Sequence, residues 1–292
     1  MSGACLVLGA GGRVGRLLRG LWAPATGGAP VLFHARDPGP GIDIAGALTP
    51  DLAGQVADPV ATVLVLAGAV AGDEARLAGN TRAARQALDL ARRLGAGRVL
   101  LCSSGAVYGP GSGTPLTTGD AAAATAPYPL AKRAMELAAA DWCAAEPDLP
   151  AVLCLRLANV AGADALADAV RSASLDAPLR LDRLPGGGSP RRSYLSPATL
   201  ARLAAAAPVP AARFETVNLA EPGPPLPMSE LLDALARAGH PVPWGWRPAP
   251  ASVLACHALD PGPLADRHPG IFAAPGADAL VADWLLAGGG RP

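Results

Sequence analysis

Short apolar runs alternate with longer segments whose apolar positions recur at helical spacing through the first half of the chain. ACLVLGA, PVLFHAR, ATVLVLAG, GRVLLCSS and AVLCLRLAN are rich in Val and Leu and read as strands. Between them, RVGRLLRGLW, ARLAGNTRAARQALDLARRLG and PLAKRAMELAAADWCAA read as helices, with Leu77, Ala84, Leu88 and Ala91 at helical spacing in the second. Strands apolar throughout, separated by helices, predict βαβ units: an α/β fold with a doubly wound parallel sheet covered on both faces. After Gly162 the rhythm breaks. LPGGGSPRRSYLS reads as a loop, PATLARLAAAA as a helix, FETVNLA as a short strand, and SELLDALARAG as a helix with a Ser cap at Ser229. The stretch from Pro241 to Pro275 is Pro-rich and reads as irregular. This divides the chain into a first domain, residues 1–162, which also receives part of 190–220, and a smaller, discontinuous region, 163–292.

Composition narrows the class. Of 292 residues, 51% are hydrophobic and only 16% charged, which predicts a sizeable buried core. The 35 glycines and 31 prolines are scattered through periodic segments and act as punctuation rather than marking disorder. A formal net charge of zero argues against nucleic-acid binding. The N-terminus lacks the basic and long apolar regions of a signal peptide, and VATVLVLAGAVAG is too short and glycine-broken to cross a membrane. Five cysteines without a C-x-x-C pair predict reduced thiols in a cytoplasmic protein and no metal site, with Cys102 and Cys154 as core fillers. His34, His240, His257 and His268 show no ligand spacing and receive no role. Trp244 and Trp246 suit packing, a pocket mouth or an interface.

The first strand leads straight into GAGGRVG, with Gly9, Gly12 and Gly15 spaced G-x-x-G-x-x-G. Glycine is needed where a strand-to-helix turn is sharp and where a pyrophosphate approaches the amides of a helix N-terminus. In a chain this rich in glycine the triplet alone is weak; its place after the first strand is what the motif requires. At the end of the second strand, where an acid would bind the ribose hydroxyls of NAD, stand Ala35 and Arg36. Arginine suits a 2′-phosphate, so the reading leans to NADP(H), while Asp37 keeps NAD open.

Tyr128 and Lys132 are spaced i, i+4 and share a helix face, and Pro129 fits a first helical turn. Three tyrosines and one lysine in the whole chain would give about 0.01 such pairs by chance. A phenol, with an ordinary pKa near 10, is a weak base at neutral pH, and a nearby ammonium or a positively charged nicotinamide favours its ionised form. Lysine can do this and still donate to ribose hydroxyls, which arginine's planar fork does less well. Ser103 and Ser104 end a strand on the same sheet edge, where a hydroxyl could hold a substrate oxygen.

With these motifs the chain resembles the extended short-chain dehydrogenase/reductases, the NAD(P)-dependent epimerase/dehydratase family of nucleotide-sugar enzymes. The matching stretches are GAGGRVG, VLVLAGAVAG, NTRAARQALDLARRLGAGRVLLCSSGAVYG, YPLAK, LRLANVAG, RRSYLSPATLA and FETVNLAEPGPPLPMSELLDAL, in order over nearly the whole chain. The resemblance implies a Rossmann fold with a small C-terminal substrate-binding region. It implies catalytic roles for Ser104, Tyr128 and Lys132. It puts Gly9, Gly12, Arg13, Val14 and Gly15 at the cofactor pyrophosphate, Asp43 and Ile44 at the adenine, and Ala67 and Gly68 beside the cofactor. Ala106, Asn159 and Arg192 fall at the substrate, a sugar or nucleotide-sugar, and a homodimer is implied as well. Five of the six tyrosines and asparagines, Tyr108, Tyr128, Tyr194, Asn80 and Asn159, lie in matched motifs, and Asn218 lies in the closing strand.

The departures matter. Residues 37–60 are short and Pro/Gly-rich, implying no full crossover helix, as in the dTDP-4-dehydrorhamnose reductase branch. The family's H-V-x-D is replaced by SPAT, which puts Ser196 and Thr199 where His and Asp are usual. Gly105 and Ala106 follow Ser104 in place of the acid pair that dehydratases use, which argues against 4,6-dehydration. An epimerase that keeps its NAD and a reductase that consumes NADPH remain level, with a non-catalytic NAD(P)-sensing protein as the reading from another class.

Overall fold

The computed structural model describes residues 3–111, 114–272, 276–288, 290 and 292. In chain order the first half runs β1 (Ala4–Leu8), α1 (Arg13–Thr26), β2 (Val31–Ala35), β3 (Ile44–Ala45), β4 (Val60–Val65), α2 (Glu74–Arg93), β5 (Arg98–Ser104), α3 (Pro127–Ala145) and β6 (Ala151–Leu157). The second half adds β7 (Asn159–Val160), α4 (Ala165–Ser172), β8 (Leu179–Arg183), β9 (Arg191–Arg192), β10 (Tyr194–Leu195), α5 (Pro197–Ala206) and β11 (Phe214–Leu219). It closes with β12 (Leu226–Pro227), α6 (Met228–Arg237), β13 (Trp244–Pro248), β14 (Cys256–His257), α7 (Gly262–Arg267) and α8 (Ala277–Ala287).

Seven strands form one sheet in the order β11-β6-β5-β4-β1-β2-β3, parallel throughout. The apolar strands are buried on both faces because alternate residues serve different cores. Cys5, Val7, Leu100 and Cys102 face the side covered by α1 and α5, while Leu6, Leu8, Val99 and Leu101 face α2 and α3. Strand order reverses between β1 and β4, so a crevice opens at their C-terminal ends, where the glycine turn lies; doubly wound sheets bind ligands there. A further core joins α4, β8, α6 and α8 through Leu166, Leu179, Leu231, Leu235, Leu280 and Trp284. No helix among the described residues is long and apolar enough to cross a membrane.

The segment between β2 and β4 carries only β3 and a 3-10 turn at Pro50–Gln55, as its composition predicts. Other expectations are corrected. Helix α6 is not capped by Ser229: its N-cap is Pro227, and the Ser229 N–H donates to Ser189 Oγ at 3.0 Å. The stretch read as irregular supplies β13, β14 and α7, because β13 pairs in parallel with β8. Trp244 and Trp246 pack edge to face with ring centres 5.0 Å apart, and Arg183 lies over Trp246. Four of the five cysteines are buried, Cys102 and Cys154 among them, and Cys256 is half-buried.

Candidate active site

The turn after β1 is built on close backbone approach. Gly9 has φ +90°, where a side chain is strained, and a Cβ there would lie 2.6 Å from the Ala67 amide nitrogen. A Cβ on Gly15 would lie 2.5 Å from the Ala10 Cα, so glycine lets α1 seat against the turn. Helix α1 opens at Gly12 with no side-chain cap and no acid in its first turn. Its first amides and the positive end of its dipole are left for an anion.

Two cavities meet at the turn after β4, and the second of them is lined by this glycine turn. The first, about 720 Å³, is lined by Arg36, Ala67, Gly68, Arg76 and Arg82, and by no acid among the described residues. The second, about 590 Å³, is lined by Gly9, Gly12, Arg13, Val14, Gly15 and Gly68 on one side. Its other side is Ser104, Ala106, Tyr128, Lys132 and Asn159. Gly68 borders both. It has φ +159°, and Asn80 occupies the place a side chain would need. The buried Asn80 amide accepts from the Ala69 N–H at 3.1 Å and donates to the Ala69 and Leu77 carbonyls, fixing the turn after β4. Asp43 and Ile44 line neither cavity. The Asp43 carboxylate accepts from the Phe33 N–H at 2.7 Å, and Ile44 is buried in the core as part of edge strand β3, so Leu48 and Thr49 border the first cavity instead.

Tyr128 lies in the first turn of α3, with Pro127 at its start, and lines the second cavity together with Ser104 at the end of β5. Ser104 Oγ also accepts from the Ala106 N–H at 3.2 Å, which fixes the hydroxyl at the strand end. Lys132, one turn further along α3, is 7% exposed, and its ammonium donates to the Cys102 carbonyl at 2.9 Å. Burial lowers the Lys132 pKa. The phenol differs from the sequence expectation. Burial raises the Tyr128 pKa, and the nearby Ser104 hydroxyl and the Arg13 charge only partly oppose it.

Behind this face lies a buried polar network. Glu136, one turn after Lys132, accepts from Ser103 Oγ at 2.6 Å and from Arg156 at 3.1 and 2.8 Å, with Arg133 adding a bond at 2.9 Å. The Arg156 guanidinium sits over the Tyr108 ring at 4.7 Å, and the Tyr108 hydroxyl donates to Asn218 at 2.7 Å. Next to the Ser104–Tyr128 face, a third cavity of about 420 Å³ shares Ser104, Ala106 and Asn159 with the second and continues to Arg192 and His257. The Asn159 amide donates to Asp164 at 3.2 Å, and burial holds the Asp164 carboxyl above its ordinary range.

Residues 5–219 match the model of the NAD dependent epimerase/dehydratase family. The chain belongs to this family. It is therefore an enzyme of the extended short-chain dehydrogenase/reductase type that works with a nicotinamide dinucleotide. Among similar solved structures is UDP-glucose 4-epimerase from Brucella ovis in complex with NAD, at 22% identity and TM-score 0.76 over 95% of this chain and 96% of that one. UDP-glucose-4-epimerase from Stenotrophomonas maltophila, with bound NAD and formylated UDP-arabinopyranose, is 21% identical with TM-score 0.76, covering 98% of both chains. UDP-glucose 4-epimerase from Bifidobacterium longum, in complex with NAD+ and UDP, is 19% identical with TM-score 0.75 over 97% of each. No curated protein sequence matches the chain.

The glycine cradle and the arginine-lined cavity fit a dinucleotide of the kind this family uses. Where the family has His and Asp, Ser196 caps α5 by accepting from the Ala198 N–H and donates to Asp283 at 2.5 Å, while Thr199 is buried beside Arg202. Motif reading missed Asn80 as the clamp on Gly68, Glu136 behind Ser103, Arg76 and Arg82 beside Arg36, and His257 beside Arg192. Glu136 carried a local signal in its i, i+4 spacing from Lys132, and Asn80 in its place at the head of the matched NTRAARQ stretch.

Proposed function

We propose that this enzyme carries out redox chemistry at a carbinol or carbonyl carbon of a nucleotide-linked sugar, with Tyr128 as the proton-transfer residue. The observation that carries the proposal is that Ser104, Tyr128 and buried Lys132 line one cavity with the glycine turn, and that Ser104 also borders the third cavity. A nicotinamide dinucleotide supplies, when bound, the acceptor and donor of hydride. Ser104 holds the substrate oxygen, and Tyr128 Oη takes the hydroxyl proton in oxidation or returns it in reduction. Burial keeps the phenol protonated in the chain alone, which suits proton donation. For the reverse step Tyr128 would act as base, its phenol favoured in the ionised form by the positive charge of a bound oxidised nicotinamide. Lys132 grips the ribose and holds the end of β5 through the Cys102 carbonyl. Asn159 and Arg192 bind the substrate.

The third cavity has no carboxylate lining among the described residues, so it supports epimerisation or reduction rather than elimination. Epimerisation through a transient ketone is the principal reading, in keeping with the family and with the UDP-sugar 4-epimerase neighbours. NADPH-dependent reduction is the second, favoured by Arg36, Arg76 and Arg82 around an acid-free cavity that suits a 2′-phosphate. Half-exposed Leu130 and Leu137, one heptad apart on α3, support a homodimer through that helix.

The test is a panel of UDP- and dTDP-sugars and their 4-keto forms with NAD(H) and NADP(H), followed by proton NMR and 340 nm absorbance. A C4 epimer formed without net cofactor change identifies the epimerase, and stoichiometric NADPH loss on a keto-sugar identifies the reductase. Inertness towards the whole panel with dinucleotide bound contradicts the proposal.

A further inference from the structure

Strand β14 lies parallel to β9 with His257 opposite Arg192, so the two side chains leave adjacent strands on one face. Both line the third cavity, which runs back to Ser104. The half-buried Arg192 guanidinium donates to the Arg191 carbonyl at 2.7 Å and makes no ion pair among the described residues. A half-buried cation without a carboxylate partner is costly and calls for an anion from the ligand.

His257 shares that environment. The ring lines the cavity beside Gly105, the residue after Ser104, and its Nε2 is buried without a hydrogen-bond partner. The titratable groups around the pair are Arg192 and Tyr194 on the β9–β10 side and Cys256 in β14; Gly105 contributes only backbone. Burial and the Arg192 charge hold the ring below its ordinary pKa, so it is neutral near pH 7 in the free protein.

Arg192 falls where the family contacts its substrate, and we propose that His257 stands with it at the substrate's diphosphate and takes up a proton as the diphosphate binds. This rests on the nucleotide-sugar reading above and adds a residue to it. The diphosphate offsets the Arg192 charge and raises the ring pKa in the complex. The sign follows: the pKa is low in the free protein and higher in the complex, so binding consumes a proton and affinity rises as pH falls between the two values. For one proton the limit is about tenfold in Kd per pH unit.

The probe is UDP-glucose or dTDP-glucose, titrated calorimetrically into protein saturated with dinucleotide, in buffers of different ionisation enthalpy. The diphosphate is esterified at both ends, so it lacks the second ionisation near pH 6 of a phosphate monoester. The wild type should take up a proton, close to one at the optimum, and its Kd should weaken severalfold from pH 6 to 8. His257→Asn and His257→Gln should bind with no proton uptake and a flat pH profile, while their dinucleotide affinity shows the fold intact. Tight binding with no uptake by the wild type, or equal uptake by both variants, overturns the His257 assignment and leaves the substrate class standing. If neither sugar nucleotide binds the wild type, both proposals fall.

Discussion

Replacing Glu136 by Gln tests whether the site rests on the buried network behind it. Glu136 is 1% exposed and Arg156 is 4% exposed, and the carboxylate accepts four hydrogen bonds, two of them from Arg156. Glutamine keeps the shape, removes the charge, and turns an amide donor towards guanidinium donors. Leaving one member of a buried pair uncompensated costs about 3–5 kcal/mol. Against a total stability of roughly 5–15 kcal/mol this is a large fraction. In a chain of this size it corresponds to a fall in Tm of roughly 6–20 °C. Burial raises the Glu136 pKa, but the bonds from Arg156, Ser103 and Arg133 outweigh it and hold the carboxyl below 4.5. Its contribution is therefore present above pH 4.5 and lost as pH falls through the lower folded value, so the variant should show a flatter acid limb. Urea denaturation of Glu136→Gln, Arg156→Met and the Glu136→Leu/Arg156→Met double variant measures this. The double variant should cost much less than the sum of the single changes. A loss below about 1 kcal/mol in Glu136→Gln, the range of an exposed pair, or simple additivity, would refute the reasoning.

Gly9→Ala should weaken dinucleotide binding at least tenfold and lower stability by about 1–3 kcal/mol, the range for backbone strain at positive φ; wild-type binding by fluorescence titration would contradict the turn as described. Ultraviolet titration should show no phenolate below pH 10 in the free protein, because burial raises all three tyrosines, Tyr108, Tyr128 and Tyr194. With oxidised dinucleotide one tyrosine should ionise earlier, and Tyr128→Phe should abolish that signal; an early phenolate without dinucleotide would count against the account. Replacing Arg36, Arg76 and Arg82 together by Ala should reduce NADP+ affinity at least tenfold and NAD+ affinity little, and equal losses would remove the 2′-phosphate assignment.

The alternation of apolar runs and helical periods made the parallel sheet legible because each strand is buried on both faces over a short local stretch. The site was legible where spacing within one element carries it: three glycines in one turn, Tyr128 and Lys132 on one helix turn, Ser104 at a strand end. What escaped depends on contacts between distant segments. Asn80 reaches the Gly68–Ala69 turn from α2, Ser189 replaces the expected Ser229 cap, and His257 meets Arg192 only because β14 pairs with β9. Asp43 and Ile44 were read from their sequence alone, and their setting, with Ile44 buried in edge strand β3 and the Asp43 carboxylate on the Phe33 N–H, follows from the β2–β3 pairing. Lys132 was placed on the correct face, yet its bond to the Cys102 carbonyl follows from the packing of α3 on β5, which no spacing reveals.

The most direct measurement is hydride transfer in a single turnover, followed at 340 nm after mixing an accepted sugar nucleotide with dinucleotide-saturated protein. The account predicts an absorbance change in the wild type and a rate at least a hundredfold lower in Tyr128→Phe, with dinucleotide affinity unchanged. Hydride transfer at the wild-type rate in that variant would contradict it.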